Sequence, residues 1–129
     1  MTWRLARALD QLRRQVNAKW PNRSRVSDGT IGDRKHAARA SDHNPSGGIV
    51  HALDLTHSPS TGFDAHALAE RIRKAHDPRI SYIISNRRIA SAKANWAWRP
   101  YRGSNGHTQH AHFSIKRNPH ADNIKPWAI

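Results

Sequence analysis

The chain has 129 residues, 36% of them hydrophobic, which fits one domain (1–129) with a modest core. Lys and Arg number 22 against 9 Asp and Glu, a net charge of +13 that suits a polyanionic partner without choosing among nucleic acid, an acidic cell envelope and a membrane face. With no cysteine, disulfides and thiolate metal sites are excluded, and no run approaches the roughly 18 apolar residues of a membrane span.

Residues 1–10 contain no uninterrupted apolar segment, so no signal peptide is expected. A chain made in the cytoplasm and acting outside it needs another means of delivery. Residues 3–17 read as a helix: Leu5, Leu9, Leu12 and Val16 recur at helical spacing, Thr2 can cap it, and Pro21 lies beyond its end. Residues 22–48 are polar and turn-rich, with a short helical turn expected near Lys35–Arg39. Residues 49–56 read as one strand, with Ile49, Leu53 and Leu55 on one face and Val50, Ala52 and Asp54 on the other. Asp is depleted in strands, so Asp54 is either a solvated edge residue or a ligand.

A second helix is expected over 64–76, stapled and capped by Phe63 and Asp64 and ended by Asp77-Pro78. Two short strands, 79–84 and 87–91, follow around Ser85-Asn86. The loop Asn95-Trp96-Ala97-Trp98-Arg99-Pro100-Tyr101-Arg102-Gly103 is aromatic and basic. A last strand, 110–116, alternates: His110, His112 and Ser114 face one way, Ala111, Phe113 and Ile115 the other. The tail 117–129 is irregular, with Trp127 available to dock it. The whole describes an α+β fold, a small antiparallel sheet packed with two main helices and long loops.

Three of the ten histidines fall within 107–112, and neutral imidazole is the commonest metal ligand. Asp54 and His112 can meet if their strands are neighbours, with His43 folding over from the preceding loop. His51 points to the opposite face from Asp54 and cannot readily replace His43. His43, Asp54 and His112 then form a three-ligand zinc site, one ion per chain, with a position left for water. His110 stands beside it as a proton carrier, and His107 is a candidate supporting residue.

These residues resemble a known family. Ser41-Asp42-His43, then Ala52-Leu53-Asp54, then His110-Ala111-His112 are similar to the LAS zinc peptidases, which include D-alanyl-D-alanine carboxypeptidases and dipeptidases, phage endolysin peptidases and murein endopeptidases. The likeness covers roughly residues 27–116. His107, His110 and His112 look most like the murein endopeptidase branch. Ser27-Asp28-Gly29-Thr30-Ile31-Gly32-Asp33 and Ser41-Asp42-His43-Asn44-Pro45 look like peptidases of actinobacteriophage lysins. His43 and Asp54 are further apart than in the family pattern, the extra residues falling at Pro45-Ser46-Gly47-Gly48.

The resemblance implies hydrolysis of an amide bond in the peptidoglycan stem peptide or cross-link, with zinc-activated water as nucleophile and His110 handling the proton. The expected lack of a signal peptide fits an enzyme that reaches the cell wall by phage-type release. Arg39 is then a candidate to bind a substrate carboxylate or oxyanion, and Trp98, with Trp96 and Tyr101, to line the cleft. The basic surface can contact anionic wall polymers, and a monomer is expected. Two other readings compete. Asp42-His43-Asn44-Pro45-Ser46-Gly47-Gly48 also looks like the first element of HNH nucleases, though that reading leaves His110-Ala111-His112 unused. The third is a non-catalytic module that grips cell-wall polymer.

Overall fold

The apolar stripe of the first helix is present, but the helix begins later than its periodicity suggests. In the computed structural model, which describes residues 2–31 and 41–129, Arg4–Leu5 form a short strand, β1, and helix α1 runs over Arg7–Lys19. The reason is a long-range pairing. Arg4 and Leu5 lie parallel to Ile49 and Val50, strand β2, and Arg4 N–H donates to the Gly48 carbonyl at 2.9 Å. Thr2 is therefore not the cap; Ala6 holds that position without a side-chain bond.

The expected strand over 49–56 is divided at His51. Its N–H goes to the Asp42 carbonyl and its carbonyl accepts from Ile115 N–H. The chain thus passes from β2 to a second sheet, which it enters as β3 (Ala52–Thr56). Helix α2 (Ala65–Ala75) follows, capped as expected by the Asp64 side chain, which accepts from Ala67 N–H. Then come β4 (Ile80–Ser85), β5 (Arg88–Ser91), β6 (Arg99–Pro100) and β7 (His110–Ile115). The β4–β5 turn is Asn86-Arg87, one residue later than the sequence suggests. Ser85 pairs with Arg88 and both central residues have positive φ, as a two-residue hairpin of this twist requires.

The described residues thus form two α-helices, a five-stranded antiparallel sheet ordered β3-β7-β4-β5-β6 and the small parallel β1–β2 pair, the expected α+β fold. Strand β7 is inserted between β3 and β4, so it is buried within the sheet despite arising last. One sheet face is apolar. Leu53, Leu55, Ile83, Ala111, Phe113 and Ile115 are buried there in one cluster with Leu9, Leu12 and Val16 of α1 and Leu68 and Ile72 of α2. Each fully buried Leu, Ile or Phe contributes about 1.5–3 kcal/mol by leaving water. A register shift between Ile80 and Tyr82 lets Ile80 and Ile83 both join that core while Tyr82 turns to the other side. Trp127 docks the tail as expected: its indole N–H donates to the Ala8 carbonyl at 2.8 Å and the Arg79 guanidinium lies over its ring. Among the described residues no helix is long and apolar enough to cross a membrane.

Candidate metal centre

The opposite face of the sheet is polar because the two-residue period of β7 continues through His110, His112 and Ser114. Asp54 of β3 lies directly opposite His112, Tyr82 of β4 opposite Ser114, and Ile84 opposite His112. Register alone therefore places a carboxylate beside an imidazole: Asp54 Oδ1 is 2.9 Å from His112 Nδ1. His43 arrives from the loop before β2, its Nε2 lying 3.3 Å from Asp54 Oδ2. The longer spacing between His43 and Asp54 does not keep them apart. Ser46 and Ile49 exchange backbone hydrogen bonds around Gly47-Gly48, both at positive φ, so the extra residues are taken up in a tight turn.

Four of the sequence-derived site residues thus converge. The side chains of His43, Asp54, His112 and His110 are only 8%, 13%, 5% and 14% exposed, and His110 Nε2 lies 3.6 Å from Asp54 Oδ2. Among the described residues, the ion-pair partners of Asp54 are these three imidazoles, with no Lys or Arg. Burial alone would raise the pKa of Asp54; hydrogen bonds from His112 and His43 outweigh it and hold the carboxyl well below its usual range. Burial also acts to lower His43, but Asp54 outweighs it and raises His43 above its ordinary value.

The imidazoles are held from behind. His43 Nδ1–H donates to the Thr30 carbonyl at 2.7 Å, which directs Nε2 at Asp54. His112 Nε2–H donates to Ser114 Oγ at 2.7 Å, which directs Nδ1 there. Ser114 and Tyr82 hydrogen-bond the carboxylate of Asp42, which also pairs with Arg117 at 2.8 Å. Burial pushes Tyr82 up to about 12, so its hydroxyl stays protonated. Gly29 backs the site from the other side, exchanging backbone bonds with Asp54; a Cβ there would come within 3.1 Å of Asp54 Oδ2.

His107 completes the cluster, its ring edge-on to those of His110 (4.8 Å) and His112 (5.4 Å). It has a φ of 53°, a conformation side chains rarely adopt, maintained by Asn105, whose side chain accepts from His107 N–H and whose carbonyl accepts from Nδ1–H. The loop carrying it is tied to the β4–β5 turn: Asn86 N–H donates to the His107 carbonyl and Arg87 N–H to Gly106. Burial, then the neighbouring His112 and His110, push His107 down to about 4. Burial is also the main reason His110 lies below its ordinary value.

Two groupings among the described residues can hold a metal ion: His43, Asp54 and His112, and Asp54, His107 and His110. In each, one ligand atom per residue lies within 4.8 Å of the others. His43, Asp54, His107 and His112 border a cleft of about 350 Å³ lined also by Ser41, Tyr82, Ile84, Tyr101 and Asn105, with His110 buried behind them. Trp98 is placed elsewhere. Its indole N–H donates to Glu70 at 2.9 Å, and the guanidiniums of Arg73 and Arg88 lie over its ring, so it braces α2 against the sheet edge. Trp96 stacks on His76, leaving Tyr101 as the loop's aromatic in the cleft. Arg39 and the turn expected near Lys35–Arg39 lie outside the described residues.

Sequence reasoning gave no role to Asp42, Ser114, Tyr82 or Asn105 in supporting the site. The alternation of β7 carried a signal for Ser114, which shares the face of His110 and His112; nothing local linked it to Asp42. In comparisons with known proteins, no family model, curated protein or solved structure matches the chain.

Proposed function

We propose that this chain is a zinc-dependent peptidase that hydrolyses an amide bond in peptidoglycan stem peptide or cross-link. The observation that carries the reading is the convergence of His43, Asp54 and His112 on a buried point with a third imidazole, His110, alongside. The donor set fits the ion. Two ligands at zinc's bond lengths of about 2.0–2.2 Å in tetrahedral array stand about 3.3–3.5 Å apart. The separation of 3.3 Å from His43 Nε2 to Asp54 Oδ2 matches this spacing, while His112 Nδ1 faces the other oxygen, Oδ1, at 2.9 Å. Two nitrogens and one oxygen suit zinc better than calcium or magnesium, which favour all-oxygen sites. Held there, zinc supplies the Lewis acidity that makes water nucleophilic near neutral pH and polarises a carbonyl.

The chain's own residues do the rest. Because its pKa is depressed, His110 is neutral at pH 7 and its Nε2 can take the proton of the attacking water and return it to the leaving amine. His107, neutral for the same reason, packs edge-on to His110 and fixes its ring. Tyr101 and Ile84 form apolar walls that limit water in the cleft. The substrate class is supported by the likeness of Ser41-Asp42-His43, Asp54 and His110-Ala111-His112 to the LAS peptidases and by a net charge of +13 suited to an anionic wall.

The test is digestion of purified peptidoglycan by the zinc-loaded chain, with mass analysis of the released ends and supercoiled plasmid as a parallel substrate. New termini within stem peptides are expected. Nicked plasmid with intact peptidoglycan would replace the peptidase reading with a nuclease one, and intact peptidoglycan that retains the protein would replace it with a binding module.

A further inference from the structure

We infer that Asp54 serves two cation sites, and that a second divalent ion of the zinc type binds between Asp54, His107 and His110. The carboxylate is placed to bridge: Oδ1 faces His112, while Oδ2 faces both His43 at 3.3 Å and His110 at 3.6 Å. A carboxylate offers about four lone-pair directions, so serving both sides exceeds no valence. His107 Nδ1–H is committed to the Asn105 carbonyl, which puts that ring's lone pair on Nε2.

His110 is the decisive residue. Its Nδ1 and Nε2 are both buried and have no hydrogen-bond partner among the described residues. An imidazole N–H buried without an acceptor is destabilising, so a chain that places one here leaves a coordination opportunity rather than a packing solution. The 3.6 Å from His110 Nε2 to Asp54 Oδ2 is too long for a hydrogen bond but close to the spacing of two ligands on one ion. Two cations sharing a carboxylate typically sit about 3.5–4 Å apart, a separation that two clusters with a common Asp can provide.

The consequence for catalysis rests on the peptidase reading. The second ion takes the lone pair with which His110 accepts a proton, so the second site is inhibitory. The chain is active with one equivalent of zinc and is turned down by excess.

Binding is tested without substrate, so its outcome is independent of the peptidase reading. The full-length chain, stripped with chelator, is titrated with Zn²⁺ alone, and bound metal is counted by mass spectrometry after equilibrium dialysis. Two ions per chain are expected for the native protein, one for His107→Ala and none for Asp54→Ala, with His57→Ala as a control that keeps two. With Co²⁺ in place of zinc, the doubly loaded protein should show magnetic coupling between the ions, absent in His107→Ala. Saturation at one ion, or two uncoupled ions, or two ions retained by His107→Ala, overturns the shared site. For the inhibitory role, the ratio of rates at one and at excess equivalents of zinc is compared between the native chain and His107→Ala. A fall of roughly 10²-fold or more in the native chain that the variant lacks supports it; an unchanged or higher rate with excess zinc overturns it.

Discussion

Two carboxylates turn inward beside strand β3, and they are satisfied in different ways. Asp28 receives the Arg23 guanidinium through both oxygens, at 2.9 and 2.8 Å, and also the backbone N–H and hydroxyl of Thr56. Arg23 is itself buried, with its Nε–H on Asn17. Asp54, two residues from Thr56, is surrounded instead by His43, His110 and His112. A guanidinium is always charged, donates five hydrogens and has no lone pair to offer. The Asp28 pair is therefore closed to a metal. An imidazole can exchange its proton for a cation, so the Asp54 cluster is open to one. Both carboxylates are held below their usual range; the kind of partner, and not the size of the shift, separates a structural carboxylate from a candidate ligand.

The strongest way to break the comparison is to exchange the outcomes. Asp54→Ala should reduce bound zinc and peptidoglycan hydrolysis to background while the chain stays folded, as read by metal analysis, product release and circular dichroism. Asp28→Ala should do the reverse, with metal bound normally by whatever fraction folds. If both variants lose metal equally, the distinction fails. Next in size, His110→Ala should keep the first zinc yet lower turnover by roughly 10²–10⁴-fold, measured on zinc-saturated protein with soluble stem-peptide fragments.

Arg23→Met sharpens the structural side. It leaves Asp28 without its charged partner and should cost about 3–5 kcal/mol in urea unfolding, with no change in zinc per folded chain. The same variant carries a pH signature. Burial would raise the pKa of Asp28, but Arg23 and Thr56 outweigh it and depress it. The stabilisation is therefore fully present above the unfolded carboxylate value of about 3.9 and is lost as pH falls through the depressed value. Unfolding midpoints of the native chain should drop below about pH 4 more steeply than those of Arg23→Met. The smallest effect is expected from Ser114→Ala. Removing the acceptor of His112 Nε2–H should weaken zinc affinity about 10–100-fold in chelator competition, with the fold intact because the residue faces the site and not the apolar core.

The parts of the molecule set by local pattern were legible. The alternation of β7 gave its two faces, the stripe and Asp64 cap gave α2, and the alternation of residues 49–56 gave the face on which Asp54 stands, since the side-chain period of a strand is two residues whatever lies around it. The parts set by distant partners were not. Helix α1 starts late because Arg4 and Leu5 pair with a segment more than forty residues away. Trp98 leaves the cleft because Glu70, Arg73 and Arg88 gather around it, and an aromatic side chain carries no local mark of which neighbours will do so.

By itself, then, the sequence determined the ligand types available, His and carboxylate without thiolate, and the strand faces on which Asp54, His110 and His112 stand. Only the tertiary structure decided that His43 reaches Asp54, that Asp42 stands behind His112 through Ser114, and that both nitrogens of His110 are buried without a partner among the described residues. The reason is that periodicity fixes direction within an element, whereas distance between elements depends on how the whole core packs.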